Sequence, residues 1–267
     1  MNKIYYPVMV VSLAGAMALA QISCGSGPDS VPRGSIFRQA LAVQWGYSGS
    51  TGPDHWADLD SSYKTCGEGQ RQSPIDLTGK IYGVASTLRY FYLPSTGNVV
   101  NDGHTFVYSP SGASYITVDK KRFDLARVKF HAPSEHKFEG RQYPMEAQLI
   151  HLAADGSTAI ISQVFARGAA NPVMAGIWAG ASAQEGVVAP VHGALDPWEL
   201  LFWNKSFYSY EGSLNEPPCS EVVMWVVMKG IMTASDEQIA MLTNTFGPNA
   251  RPAQPMNGRH PGFSRVD

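Results

Sequence analysis

The sequence predicts a strand-dominated, single-domain protein, and three observations carry that prediction. Its 267 residues are 44% hydrophobic and 16% charged, enough apolar material for one well-buried core. Its 26 glycines and 18 prolines suit strands and loops better than helices. The stretch 127–151 begins and ends in residues that alternate with the period of a half-buried strand. The formal net charge is −2, so there is no global basic field for nucleic acid.

The chain opens with a targeting signal. Lys3 precedes an uncharged run, and residues 8–20 form an apolar segment of the usual length, short for a membrane span. Ala18-Leu19-Ala20 offers a small-residue cleavage site before Gln21. A second reading takes Cys24, followed by Gly25-Ser26-Gly27, as the lipidated cysteine of a lipoprotein signal, with Gln21-Ile22 an imperfect match. Either way the mature protein is expected outside the cytosol: in a periplasm, at a cell surface or secreted, with membrane contact only through a lipid anchor. Residues 1–24 are thus expected to be signal, 25–42 a polar linker, 43–260 the domain and 261–267 a tail.

Within the domain, Trp45, Tyr47 and Trp56 read as an aromatic cluster packing the N-terminal segment. Asp102-Gly103 is a hairpin signal. In residues 127–131 (RVKFH) Arg127, Lys129 and His131 share one face. In 145–151 (MEAQLIH) one face carries Glu146, Gln148 and Ile150, the other Ala147, Leu149 and His151. If these two strands pair, Lys129, His131 and Gln148 converge on one point. Residues 158–165 (TAIISQVF) read as an apolar strand, with Ile161 expected near a pocket wall. Residues 169–186 read as loop and helix. A helix is expected over 235–246, opened by a capping box of Ser235 and Gln238 and stopped by Gly247. Asn204-Lys205-Ser206 is a sequon by pattern only.

Once Cys24 is lipidated or removed, Cys66 and Cys219 remain, as a disulfide or as two buried thiols; an oxidising compartment favours the bond. Ser134-Glu135-His136 is consecutive and does not set a serine against a base. There is no Gly-x-Ser-x-Gly and no phosphate loop.

Several segments together resemble the alpha-class carbonic anhydrases. They are W-G-Y at 45–47, G-P-D-H-W at 52–56, Q-S-P-I-D at 72–76, N-D-G-H-T-F at 101–106, K-F-H-A-P-S-E-H at 129–136, M-E-A-Q-L-I-H at 145–151, S-L-N-E-P-P at 213–218 and N-A-R-P-A-Q-P-M-N-G-R at 249–259. They follow the family's order and span residues 43–259. The resemblance implies an α+β, strand-dominated single domain with a large twisted, mostly antiparallel central sheet and short peripheral helices. It also implies the Cys66–Cys219 disulfide, since members of the family join these positions.

In the family three histidines bind one zinc. The resemblance places those positions on Lys129, His131 and Gln148, of which only one is histidine. A lysine amine must first lose a proton whose reference pKa is about 10.4, and a glutamine carbonyl is a weak zinc donor. The expectation is therefore no cofactor, with zinc as the alternative. Glu146, which in the family orients the third ligand, is expected to have lost its partner. Glu135 and His136 match a buried glutamate and histidine, and His151 a structural histidine. Asn215 replaces the hydroxide-orienting threonine, with its amide expected to donate to Glu135, and Glu216 replaces its neighbour. His104 stands at the proton-shuttle position. Tyr47 and Gln72 match pocket-side or supporting positions.

The expected function is that of an exported carbonic-anhydrase-like pseudoenzyme. Its pocket, around Arg127, Lys129, His131, Glu146, Gln148, Leu214 and Glu216, would hold a small anion or close on itself as an ion-pair network. A carbonate dehydratase of weak or atypical activity, with zinc held by His131 and nearby donors, is the first alternative. A surface adhesion or structural protein is the second. Arg127 and Lys129 would put back the two positive charges that zinc takes away. A buried lysine needs a partner, so Lys129 is expected to reach Gln148 or a carboxylate, with Glu146 and Glu216 as candidates.

Overall fold

In the computed structural model, residues 43–78 and 83–264 are described. The segments expected to be export signal and linker, with Cys24, lie outside them. The described residues form a strand-dominated domain on a thirteen-stranded mixed sheet, with a separate three-stranded sheet of Asp76–Leu77, Lys137–Phe138 and Arg141–Gln142. The strands that position the site are β1 (Gly97–Asn101), β2 (Phe106–Pro110), β3 (Lys121–His131), β4 (Met145–Leu152), β5 (Thr158–Arg167), β6 (Phe207–Gly212) and β7 (Val223–Met228). Across the sheet they run β1-β2-β3-β4-β5-β7-β6, antiparallel except for the β5–β7 pair.

β3, β4 and β5 lie at the centre, and seven of the eight residues of β4 are buried. Alternation divides their side chains between two faces. Val128, Phe130, Ala147, Leu149 and Ile161 join the main core cluster, where β-branched and aromatic side chains fill the pleated surface. Lys129, His131, Glu146, Gln148 and Ser162 take the other face. Ile150 and Ile160 join a second apolar cluster with Ile75, Tyr210 and Trp225.

Ile161 therefore does not approach the site. It pairs with Leu149 and is fully buried, while its neighbour Ser162 pairs with Gln148. A one-residue change of position in a strand moves a side chain to the opposite face.

α1 (Pro172–Trp178) is capped by Asn171, whose Oδ1 accepts from the backbone N–H groups of Val173 and Met174. α2 (Asp236–Phe246) opens on the reciprocal Ser235–Gln238 capping box and ends at Gly247, φ 67°. The turn from β1 to β2 places Gly103 at φ 86°. There Asp102 Oδ1 accepts from His104 N at 3.0 Å and Thr105 N at 2.8 Å. The segment expected to be a tail contributes a strand: Gly262–Ser264 pairs with β6. Cys66 and Cys219 are disulfide-bonded, joining the N-terminal short helices to the loop before β7. Trp56 is fully buried beside that bond, with Trp45 and Tyr47 against it.

Candidate functional site

β3 and β4 pair in a register that sets Lys129 opposite Gln148 and His131 opposite Glu146. Lys129 Nζ lies 2.7 and 2.9 Å from the two carboxylate oxygens of Glu216 and 3.3 Å from Asp102 Oδ2. Its side chain is 9% exposed. One ammonium thus joins the central strand, the β1–β2 turn and the 213–219 loop. Of the two candidate partners, Glu216 meets Lys129 and Glu146 does not. Burial alone would raise the Asp102 carboxyl, but the Lys129 charge and the N–H groups of Thr105 and His104 hold it below its ordinary value.

Gln148 makes a different set of contacts. Its Nε2 donates to Glu135 Oε2 at 2.7 Å and Glu146 Oε1 at 2.9 Å, while its Oε1 accepts from Asn215 Nδ2 at 3.2 Å. Two expectations are corrected here. Glu146 has not lost its partner, because a carboxamide N–H serves as well as an imidazole N–H. Asn215 donates to Gln148, not to Glu135.

Glu146 also accepts from the backbone N–H groups of Glu135 and His136, from Ser162 Oγ, and at 2.9 Å from His136 Nδ1. Complete burial would raise its carboxyl; the charge and hydrogen bonds of His136, with the Gln148 bond, outweigh that and hold it at about 2. Glu135 goes the other way, raised by burial despite the bonds from Arg251 N and Gln148. Two neighbouring buried carboxyls are thereby shifted in opposite directions.

His131 is 2% exposed. Its Nδ1 meets Asn249 O at 2.7 Å, and its Nε2 has no hydrogen-bond partner among the described residues. His136 spans Glu146 and Tyr210, whose hydroxyl is 2.7 Å from His136 Nε2. His151 is fully buried with Nε2 2.8 Å from Tyr92 Oη, and burial holds it neutral down to about 3. Both are structural groups.

His104 stacks flat on Trp45, ring centroids 3.7 Å apart, and burial lowers its pKa. Tyr47 lies edge-on to His131 at 6.4 Å, and burial raises its phenol well above the usual range. Gln72 accepts from Arg251 and donates to Cys219 O and Glu221. Leu214 packs on the second apolar cluster. The Arg127 side chain is exposed and, among the described residues, makes no hydrogen bond or ion pair.

Sequence reading missed Asp102, Ser162, Asn249, Arg251 and Tyr210. Asp102 carried one usable signal: a lysine in a buried strand needs more acceptor than one carboxylate supplies. The convergent point presents one imidazole nitrogen, one paired ammonium and one carboxamide with both ends engaged. That is not a three-imidazole donor set. Among the described residues no group of three or more His, Cys, Asp or Glu side chains is arranged to hold a metal.

The central mixed sheet, the loop carrying Asn215 and Glu216, and the buried Glu135–His136–Glu146 scaffold together define the alpha-carbonic-anhydrase class of fold. The family model for eukaryotic-type carbonic anhydrase matches residues 51–260. A carbonic anhydrase of Pectobacterium carotovorum is 35% identical over 219 residues, 82% of this chain and 90% of that protein. A solved alpha-carbonic anhydrase from Thermovibrio ammonificans, in complex with the inhibitor sulfanilamide, is 38% identical with a TM-score of 0.79, covering 84% of this chain and 99% of that one. Dioscorin complexed with ascorbate is 29% identical with a TM-score of 0.76, covering 83% of this chain and 98% of that one. The chain belongs to the alpha-class carbonic anhydrase family.

Proposed function

We propose that this chain is an exported, non-catalytic member of the family, one that does not hold the catalytic zinc and serves as a binding protein. The observation that carries the reading is the Lys129 ammonium, 2.7 Å from Glu216 and 3.3 Å from Asp102. A zinc site of this class needs three neutral or anionic donors and one open position for water, carbonic anhydrase being the standard case. Here a fixed positive charge occupies one donor position. A carboxamide whose oxygen already accepts from Asn215 occupies another. The residues present do not fit a zinc ion.

The ion pair also narrows the binding role. Lys129 is matched by two carboxylates, so the free positive charge on that strand face belongs to Arg127. A small anion is the ligand that this guanidinium suits. That the fold carries ascorbate in dioscorin supports a binding use of the same scaffold. The carbonate dehydratase reading draws on the relatives named carbonic anhydrase and on the unpartnered His131 Nε2.

Stopped-flow hydration of carbon dioxide, with and without added zinc, tests the proposal. The expected result is no rate above buffer in either case. Zinc-dependent turnover contradicts it.

A further inference from the structure

A cavity of about 480 Å³ opens beside the β1–β2 turn, lined chiefly by Trp45, Tyr47, His104, Glu185 and Phe246. Arg127, Lys129 and His131 do not line it, so it is separate from the strand face described above.

The walls of this cavity are tied together. Asn101 Nδ2 donates to Ala183 O at 2.8 Å and Gly186 N donates to Asn101 O at 2.9 Å, which pins the loop carrying Glu185 to the turn. Gly103 makes room for the Glu185 carboxylate, which a Cβ there would meet at 3.1 Å. Asn249 Nδ2 donates to His104 O at 2.9 Å and holds the turn from the other side. The His104 ring lies flat on Trp45, centroids 3.7 Å apart.

The charge and lone pairs left open here attract a cation. Glu185 is exposed and, among the described residues, makes no hydrogen bond or ion pair. Burial lowers the His104 pKa, although Asp102, Glu216 and Glu185 pull it upward, so the ring is neutral near neutral pH. One of its nitrogens is then an acceptor, without a hydrogen-bond partner among the described residues. The C-terminal end of α2 also lines the cavity, and no basic residue in its last turn offsets the carbonyl groups there. A quaternary ammonium has no N–H for Glu185 or His104. A primary ammonium has the N–H groups but no flat face for the aromatic wall. A guanidinium has both, and two of its N–H groups run parallel to match a carboxylate.

We infer that this cavity binds a guanidinium group. The N–H fork sits on Glu185, a further N–H meets the neutral His104 ring, and the plane lies against the aromatic wall. Such binding goes beyond the zinc-free reading and does not depend on it.

Calorimetric titration of the full chain with butylguanidinium and with butylammonium, which differ only in the head group, tests this. Butylguanidinium is expected to bind saturably and roughly tenfold or more tightly than butylammonium. Glu185→Gln, at an exposed position, is expected to weaken it about tenfold, and His104→Phe, which keeps a ring against Trp45, about threefold, both with unchanged circular dichroism. Glu139→Gln, at an exposed position that does not line the cavity, is expected to leave binding unchanged. A blocked Gly-Arg-Gly peptide separates the two sources of the group. Binding as tight as that of butylguanidinium assigns it to a protein side chain, and weaker binding to a small guanidine. No saturable butylguanidinium binding, equal binding of the two head groups, or equal effects of Glu185→Gln and Glu139→Gln overturns the inference.

Discussion

Lys129 Nζ lies 2.7 Å from Glu216 Oε2, which ties the central strand β3 to a loop 87 residues further along the chain. Both side chains are mostly buried, so the pair is screened far less than a surface pair. Glu216→Gln leaves the ammonium with Asp102 alone and should lower stability by about 2 kcal/mol. Lys129→Met in the same chain should recover part of that loss, giving a coupling of about 1–2 kcal/mol in urea denaturation. Simple additivity of the two substitutions would show that the pair carries no stability.

Glu146 and His151 set the acid limit of the fold. His151 is lowered by burial from 6.5 to about 3, so its neutral form is favoured by folding. Its contribution is complete above 6.5 and is lost as pH falls toward about 3. Glu146 is held at about 2 against an ordinary 4.5, so its contribution is complete above 4.5 and is lost as pH falls through about 2. Glu135 has the opposite sign: its raised carboxyl favours folding at low pH and the gain fades as pH rises. The net expectation is a decline in stability that starts below pH 6.5 and steepens below 4.5. His151→Phe should flatten the first part of the decline in denaturation curves taken at successive pH values. An unchanged slope above pH 4.5 in that variant would contradict the assignment.

The Cys66–Cys219 bond closes a loop of 153 residues. Chain-entropy reasoning puts its contribution at up to roughly 5 kcal/mol. Unreduced protein should show no free thiol at these positions by mass spectrometry, and Cys66→Ser with Cys219→Ser should lower the denaturation midpoint sharply. Two titratable thiols in exported protein would contradict the bond.

The capping box of α2 gives a local check. Ser235→Ala removes the acceptor for Gln238 N and should cost about 1 kcal/mol, readable by thermal unfolding. A change near zero would mean that packing of Ile239 and Leu242 alone holds the helix end.

What was legible in the sequence was local. The alternation of 127–131 and 145–151 placed two central strands and predicted their meeting point, where Lys129 pairs with Gln148. Ser235, Gln238 and Gly247 placed both ends of α2. What escaped depends on distant partners or on register. Asn249 reaches His131 across 118 positions, and Asp102 reaches Lys129 from a turn that the pattern marked only as a hairpin. The fate of Glu146 escaped because residue 148 is not an imidazole, yet still carries an N–H that points at the carboxylate. The carboxylate asks only for an N–H, and Gln148 supplies one at 2.9 Å.

The central claim is that Lys129 and Gln148 have replaced a zinc site. The measurement that meets it most directly is zinc content by elemental analysis after dialysis, for wild-type protein beside Lys129→His/Gln148→His. His131 Nδ1 is already anchored on Asn249, and Glu135 and Glu146 both already bond residue 148. Wild-type protein should hold less than about one tenth of an equivalent and the double variant close to one equivalent, in line with a three-imidazole site. Stoichiometric zinc in the wild-type protein would contradict it.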